Sequence, residues 1–180
     1  MKIGLMSDTH GGLESTIKAL EILKDCDSII HLGDVLYHGP RNELPVDYNP
    51  KELAELLKNI ENIEYIRGNC DSDVDQMVTK KDLTMKNRLF KYDDLLIYAV
   101  HGYEESEHQR LVKAKKLGAK VIVTGHTHIK KLEVKDSILM VNPGSTTIPK
   151  DGSKSVAIID DNKVTTIDID NNKVLSILNF

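Results

Sequence analysis

Short apolar runs, each long enough for one β-strand, alternate with helical patterns through the first half of the chain. The runs at Lys2–Met6, Ser28–Leu32 and Ile63–Arg67 predict strands, and aliphatic residues spaced three or four apart across residues 13–23 predict a helix. Asn49 is a typical helix cap, and the proline after it suits the first position of a second helix. Strands that alternate with helices usually form parallel sheets, so the pattern predicts an α/β fold.

The second half of the chain is richer in hairpins, and Glu104–Leu117 predicts a helix that ends at Gly118. Its predicted strands are Leu89–Tyr92, Leu95–Val100, Lys120–Thr124, Ile129–Val134, Ile138–Val141, Val156–Ile159, Val164–Ile169 and Val174–Leu178. The two halves together predict a mixed sheet, or two stacked sheets flanked by helices. One long irregular stretch, residues 36–50, interrupts the pattern, and a loop of that length inside a domain is usually functional.

The composition is that of an ordinary globular protein, with 40% hydrophobic and 29% charged residues. We expect residues 1–180 to form a single domain. The net charge of −4 argues against broad binding to nucleic acid, and no apolar run approaches the roughly 18 residues that span a bilayer. The chain begins directly with a strand and lacks a signal-peptide pattern, so we expect a cytoplasmic protein with no membrane partner. The two cysteines suggest no disulfide framework.

Five of the predicted strands end at residues that can bind metal ions. The segments are Asp8-Thr9-His10, Gly33-Asp34, Gly68-Asn69-Cys70-Asp71, His101-Gly102 and Gly125-His126-Thr127-His128. Taken singly, each is explained at least as well by a helix cap, a turn or an ordinary histidine. Because ligands bind at the carboxyl ends of strands in such folds, two Asp, one Asn and four His side chains could converge there. Seven such ligands suit two metal ions about 3.5–4 Å apart, and imidazole with oxygen favours Mn, Fe, Zn or Co over Ca.

The order of these five segments resembles that of the calcineurin-like metallophosphoesterase superfamily, and the resemblance covers nearly the whole chain. Residues 33–42 and 67–72, with Asn142-Pro143-Gly144-Ser145 and Ile148-Pro149-Lys150, are similar to its small bacterial YfcE-type phosphodiesterases. The resemblance implies a four-layer α/β sandwich of two mixed sheets with helices outside. It also implies one metal held by Asp8, His10 and His128, a second held by Asn69, His101 and His126, and Asp34 bridging both.

The implied activity is hydrolysis of a phosphodiester by a hydroxide that bridges the two metal ions, with Mn foremost and Zn, Fe, Co or Mg as alternatives. Cys70 stands where many members of the superfamily carry a catalytic histidine that protonates the leaving group. A thiol with an ordinary pKa near 8.5 suits that task less well, which favours phosphodiesters over alkyl monoesters. Alternatives are a phosphomonoesterase of the same fold and a non-catalytic scaffold, because the superfamily includes a protein-binding retromer subunit.

Two residues of the long loop are candidates for substrate binding. Arg41 is suited to gripping phosphate oxygens, and His38 lies three residues before it. A solvated arginine and a turn histidine explain the pair at least as well. The expected partner is a small phosphodiester, without stable nucleic-acid binding, and relatives of this size suggest a homo-oligomer. His31, within a strand, is expected in the core, and His108 on a helix surface.

Overall fold

The computed structural model describes all 180 residues of the chain. It contains fifteen helices and strands, which are joined by turns and loops. In chain order these are β1 (Lys2–Met6), α1 (Leu13–Leu23), β2 (Ser28–His31), α2 (Pro50–Lys58), β3 (Ile63–Tyr65), α3 (Asp73–Thr79), β4 (Asn87–Tyr92), β5 (Leu95–Val100), α4 (Glu107–Leu117), β6 (Val121–Val123), β7 (Lys131–Lys135), β8 (Ile138–Asn142), β9 (Ser155–Asp160), β10 (Lys163–Asp168) and β11 (Lys173–Asn179). None of the helices is long and apolar enough to cross a membrane.

The strands form two mixed sheets. The six-stranded sheet has the order β11-β10-β9-β1-β2-β3, and the five-stranded sheet has the order β4-β5-β6-β8-β7. In the first sheet β1, β2 and β3 run parallel, and in the second β5, β6 and β8 do. The remaining neighbours pair antiparallel, including β1 with β9. The prediction of two mixed sheets in an α/β fold is confirmed.

Alternating side chains on each strand separate the core into layers. Ile3 and Leu5 of β1 point between the two sheets, where they join aliphatic residues such as Val121 of β6. Met6 points to the opposite face and packs in the cluster that α1 and α2 cover, with Leu53 as one member. A third, smaller cluster lies beneath α4 on the outer face of the other sheet. The layers are therefore helix, sheet, sheet and helix, as predicted.

The element boundaries differ from the predicted ones at a few places. Strands β2, β3 and β6 each end one or two residues early, because the backbone turns there into the loops that hold the polar segments. Helix α4 begins at Glu107, since the side chain of Ser106 accepts a hydrogen bond from the backbone and caps the helix. Helix α3 was not predicted, although Ser72 and Asp75 form a capping box at its start.

Candidate functional site

The polar segments at the five strand ends meet at one edge of the two packed sheets. The first group of potential ligands consists of Asp8 and His10, which follow β1, and His128, which follows β6. The second group consists of Asp34, His101 and His126. Within each group, one potential ligand atom per residue lies within 4.8 Å of the others. The sheets bring these six side chains together although they come from both halves of the chain.

The first group is enclosed by protein. Asp8 and His10 are fully buried, and His128 is 3% exposed. The Nε2 atom of His128 lies 3.2 Å from Oδ1 of Asp8 and 3.2 Å from Nε2 of His10. Nε2 of His10 lies 3.7 Å from the same carboxylate oxygen. Two imidazole nitrogens and one carboxylate oxygen therefore surround a common point, as a metal ion requires.

Asp34 lies between the two groups. Its Oδ2 atom is 3.7 Å from Nε2 of His10 and 3.3 Å from Nε2 of His101. Its other oxygen accepts a hydrogen bond from the backbone N–H of Cys70 at 2.8 Å, which fixes the carboxylate orientation. One oxygen of Asp34 thus faces a histidine of each group. This is the position that a carboxylate bridging two metal ions would occupy.

Two buried atoms at the centre of the site have no hydrogen-bond partner. They are Oδ1 of Asp8 and Nε2 of His101, which lie 3.9 Å apart. An unpaired polar atom in the interior costs on the order of 1–3 kcal/mol, so a partner is expected for each. Divalent cations, one in each group, would satisfy the oxygen and the nitrogen, and the donor set therefore fits the metal ions that the sequence predicts.

The histidines are oriented by backbone carbonyl groups. Nδ1 of His10, His101 and His128 lies 2.7, 2.6 and 2.8 Å from the carbonyl oxygens of Tyr37, Leu32 and Ile148, respectively. In each neutral imidazole Nδ1–H therefore donates to a carbonyl, which leaves the lone pair of Nε2 free for a metal ion. Such outer hydrogen bonds fix the ring and its tautomer at metal sites. His126 is the exception, since its ring nitrogens make no such bond.

The backbone at this edge is strained. Asp8, His10, Asp34, His126 and His128 all have positive φ angles, between 42° and 67°, in the left-handed region that L-residues rarely adopt. Such conformations cost on the order of 1–3 kcal/mol each and cluster at functional sites. Their persistence indicates that the surrounding contacts, and any bound ion, hold the five side chains in place.

Glycines allow the segments to approach closely. A Cβ atom at Gly125 would lie 2.0 Å from Oγ of Ser7 and 2.9 Å from the Asp8 carboxylate. A Cβ at Gly33, where φ is +100°, would lie 2.5 Å from the backbone nitrogen of Gly68. Only glycine fits at these two positions, which explains the glycine directly before Asp34 and the glycine directly before His126.

Asp71 and Ser7 orient the carboxylates, a role that no sequence pattern predicted for either residue. The buried carboxylate of Asp71 accepts hydrogen bonds from the backbone N–H groups of Asp34, Val35 and Gly68, at 2.9, 2.7 and 2.7 Å. The hydroxyl of Ser7 donates to Oδ2 of Asp8 at 2.5 Å. The sequence shows Asp71 two residues after Asn69, and Ser7 directly before Asp8. It does not show which groups these two side chains bond in the folded chain.

His31 connects the loop after β1 to the loop after β2. The N–H of Gly33 donates to Nδ1 of His31 at 3.1 Å, so the proton of the neutral ring is on Nε2 and is donated to Oγ1 of Thr9 at 3.0 Å. The Thr9 hydroxyl donates in turn to the carbonyl of Val35 at 2.8 Å. Burial lowers the pKa of His31 to about 3, consistent with a neutral ring. The expectation that His31 lies in the core is met, and it also positions the site.

The charges of the two groups are strongly coupled. Burial alone would raise the pKa of Asp8, but the nearby imidazoles of His10 and His128 hold it far below its usual range. Burial alone would lower the pKa of His101, yet the nearby carboxylates of Asp34 and Asp8 raise it to about 9. In the absence of metal, a proton on His101 therefore compensates part of the carboxylate charge.

Asn69 and Cys70 lie beside the second group. The side-chain amide of Asn69 donates to Sγ of Cys70 at 3.3 Å, which leaves its carbonyl oxygen available to a ligand. Burial, together with the charge of Asp34, raises the pKa of the Cys70 thiol to about 12. The thiol is thus neutral here. Its sulfur also lies near His10 and Asp34, within a possible third set of ligands.

A cavity of about 530 Å³ opens above this centre. Arg41, Cys70 and Lys150 line it, together with Asp34, Tyr37, Gly39, Pro40, Asn42, Asn69, His126, Thr127 and His128. The structure does not bring His38 to the cavity. Its ring packs edge-on between Tyr37 and Tyr48, at 4.9 and 5.4 Å between centroids. Lys150 was not among the predicted substrate-binding residues, because a lysine near a proline carries no specific sequence signal.

Comparisons with known proteins identify the family. A model of the calcineurin-like phosphoesterase superfamily domain matches residues 1–163. The chain is 34% identical to Phosphodiesterase YfcE of Escherichia coli K12 over 184 aligned positions, covering 98% of this chain and 96% of that protein. It is 30% identical to Phosphodiesterase MJ0936 of Methanocaldococcus jannaschii over 173 positions, covering 91% and 95%.

Solved structures of similar proteins have the same fold as this chain. The E. coli phosphoesterase YfcE superposes with a TM-score of 0.90 at 31% identity over 99% of both chains. Vacuolar Protein Sorting 29 from Cryptosporidium parvum has a TM-score of 0.71 at 21% identity, over 99% of this chain and 97% of that one, and supports the fold alone. The ordered strand-end motifs, the two sheets and these matches lead to one conclusion: the chain belongs to the calcineurin-like phosphoesterase superfamily and is similar to YfcE throughout its length.

Proposed function

We propose that this protein is a metal-dependent phosphodiesterase with two metal ions in its site. Asp8, His10 and His128 would hold one ion, and Asn69, His101 and His126 the other, with Asp34 shared between them. The observation that carries the proposal is the pair of unpartnered buried atoms, Oδ1 of Asp8 and Nε2 of His101, within two groups of ligands that Asp34 connects.

The residues have separate tasks in this proposal. When bound, the two ions would supply the attacking hydroxide and neutralise negative charge on the phosphate oxygens. Asp34 and Asp8 hold the centre in place, and the carbonyl-anchored imidazoles keep their Nε2 lone pairs directed at it. Arg41, on the wall of the cavity, would contact the part of the substrate that lies outside the metal centre. No nucleophilic side chain is required.

A preference for diesters, or for substrates with good leaving groups, follows from the side chains around the cavity. The lining histidines, His126 and His128, are candidate ligands, so no further imidazole faces the substrate. His38 packs between tyrosines, and His108 is exposed on α4. An alkyl phosphomonoester would therefore lack an efficient proton donor at neutral pH. The relatives named phosphodiesterases support the same preference.

The test is a metal titration of the chelated protein with two substrates. We expect Mn²⁺ to restore hydrolysis of bis(p-nitrophenyl) phosphate at two ions per chain, with p-nitrophenyl phosphate turned over at least about tenfold more slowly. A faster reaction with the monoester would contradict the diester assignment. Full metal occupancy without hydrolysis of either substrate would contradict an enzymatic role and favour a scaffold.

A further inference from the structure

Two cations without a counter-charge line the cavity above the metal ligands. Arg41 lies in the loop between β2 and α2, and Lys150 lies in the loop between β8 and β9. Both residues are exposed, and neither side chain forms an ion pair or a hydrogen bond within the chain. Asp34 is the only carboxylate that lines the cavity, and its oxygens face the N–H of Cys70 and the imidazole of His101.

The acidic residues nearest in sequence do not neutralise these cations. Asp151 directly follows Lys150, but its carboxylate pairs with Nζ of Lys130 at 2.5 Å. Glu43, two residues after Arg41, is exposed and does not line the cavity. The positive charge of both side chains is therefore available to a ligand.

Both cations belong to segments that are tied to the site. The backbone N–H of Lys150 donates to the carbonyl of His128 at 2.9 Å, so Lys150 is attached to a metal-ligand segment. On the opposite loop, the side chain of Asn42 donates to the carbonyl of His38 at 2.7 Å and closes the turn that presents Arg41. The two positive groups thus flank the cavity from separate loops.

The cavity has room for more than one phosphate. Its volume of about 530 Å³ is in the range of small-molecule sites and far exceeds that of a single phosphate group. The scissile phosphate would lie on the metal centre, and the remaining space is bordered by Arg41 and Lys150. A guanidinium fork matches phosphate geometry, and an ammonium adds a point charge.

We propose that Arg41 and Lys150 form a subsite for a second phosphate, so that the preferred substrates are phosphodiesters bearing a further phosphate group. This proposal rests on the proposed phosphodiesterase function and specifies its substrate class. A singly charged diester would occupy the metal centre and leave the two cations without a partner. A second phosphate would neutralise them and fix the orientation of the non-reacting part of the molecule.

The test compares two probes that differ by one phosphate, adenosine 3′,5′-bisphosphate and adenosine 5′-monophosphate. Their binding to the metal-loaded protein is measured by calorimetry and by inhibition of bis(p-nitrophenyl) phosphate hydrolysis. We expect the bisphosphate to bind about tenfold more tightly, since its second phosphate would accept charge-assisted hydrogen bonds from Arg41 and Lys150. Arg41→Ala and Lys150→Ala should each reduce this preference to about threefold or less.

Lys51→Ala is the matched control, because Lys51 lines the neighbouring groove between α2 and α3 rather than this cavity. It should keep both the preference and the hydrolysis rate. Equal binding of the two probes by the unaltered protein, or equal weakening of both by the Arg41 and Lys150 variants, would overturn the subsite. Absence of diester hydrolysis with the binding preference intact would instead contradict the phosphodiesterase function alone.

Discussion

The two halves of the candidate metal centre differ in how firmly the protein holds them. Asp8, His10 and His128 are buried, and both of their imidazoles are anchored through Nδ1 to a carbonyl. In the other half His101 is anchored in the same way, but His126 is half-buried and its ring nitrogens have no protein partner. The ring of His126 instead packs against the rings of His101 and Tyr103, and its centroid lies 5.2 Å from that of His101.

This difference predicts that the two groups of ligands bind their metal ions with different strength. An enclosed set of anchored ligands is preorganised and should retain its metal ion. A set with one free imidazole, next to the open cavity, should exchange its ion more readily and lie closer to the substrate. We therefore expect the first half to fix the geometry of the centre and the second to adapt as the substrate binds. The following changes would break or sharpen this comparison, in order of decreasing effect.

Asp34→Ala should remove the feature that both halves share. We expect loss of both metal ions and a fall in diester hydrolysis on the order of 10³-fold or more, because the carboxylate faces a histidine of each group. Metal analysis after dialysis, together with kcat/KM, measures the effect. Retention of two tightly bound ions would show that Asp34 is not a bridging ligand. Asp136→Ala, at an exposed turn, is the control for removing a carboxylate.

His128→Ala and His126→Ala should have unequal effects on metal retention. We expect each to slow hydrolysis by about 10²–10³-fold, since one ligand of one ion is lost. The His126 variant should recover activity when excess Mn²⁺ is added, because its ion is bound more weakly from the start. The His128 variant should recover little. Calorimetric titration of both chelated variants with Mn²⁺ checks this. Identical metal-binding curves would contradict the prediction that the two groups hold their ions with different strength.

Substitution of His31 should loosen both halves without removing a ligand. His31→Leu breaks the hydrogen bonds to Gly33 and Thr9, so we expect a 10–100-fold loss of metal affinity, as is typical when a residue that positions metal ligands is lost. His31→Gln can still donate to Thr9 and should retain more of the affinity. The coupling between two bound Mn²⁺ ions, followed by electron paramagnetic resonance, reports their spacing directly. An unaltered spectrum in the leucine variant would contradict a positioning role. The exposed His108→Leu serves as the control.

The chelated protein should lose stability as the pH rises. The pKa of His101 is raised in the folded chain to about 9 from 6.5, so its contribution is complete below pH 6.5 and disappears as the pH passes 9. We expect the free energy of unfolding to fall by on the order of 3 kcal/mol across that window. Denaturant titrations at several pH values measure it. With metal bound, the proton on His101 is displaced and this slope should vanish. Persistence of the slope at saturating Mn²⁺ would indicate that His101 is not a ligand.

The smallest effect is expected for Cys70→Ala. The thiol is neutral and is not required to hold either ion, so metal content should be intact and turnover should change by less than about tenfold. A metal-free, inactive protein would contradict this view. Cys70→His, which restores a proton donor with an ordinary pKa, should raise the rate with monoesters relative to diesters. Parallel assays with both substrates measure the ratio.

Much of this architecture was predictable because it depends on local signals. Apolar runs define the strands, and Asn49 with the following proline marks the start of α2, as the structure bears out. The polar strand ends indicated a common site because parallel strands finish at one edge. Helix α3 escaped prediction because it has only seven residues and exposes Val74, Met77 and Val78, so it lacks a buried apolar stripe.

The parts that could not be predicted depend on distant partners. The hydroxyl of Ser145 donates to the carbonyl of Asp8 across 137 positions of sequence, and no local pattern reveals that bond. Left-handed backbone at Asp8, His10 and His128 is equally invisible, since the sequence there is not glycine. The removal of His38 from the cavity follows from packing between two tyrosines, which only the folded loop defines.

The position of β1 between β2 and β9 also determines when the candidate site can assemble as the chain is synthesised. Asp8 and His10 are made first, but the strand that carries them pairs on one side with Ser155–Asp160. At 5–20 residues per second, roughly 8 to 30 s of translation separate the two strands. During that time the nascent chain holds the earliest ligands without the scaffold that aligns them. We therefore expect metal capture to be a late event, and a chain truncated before β9 to be unable to load metal ions.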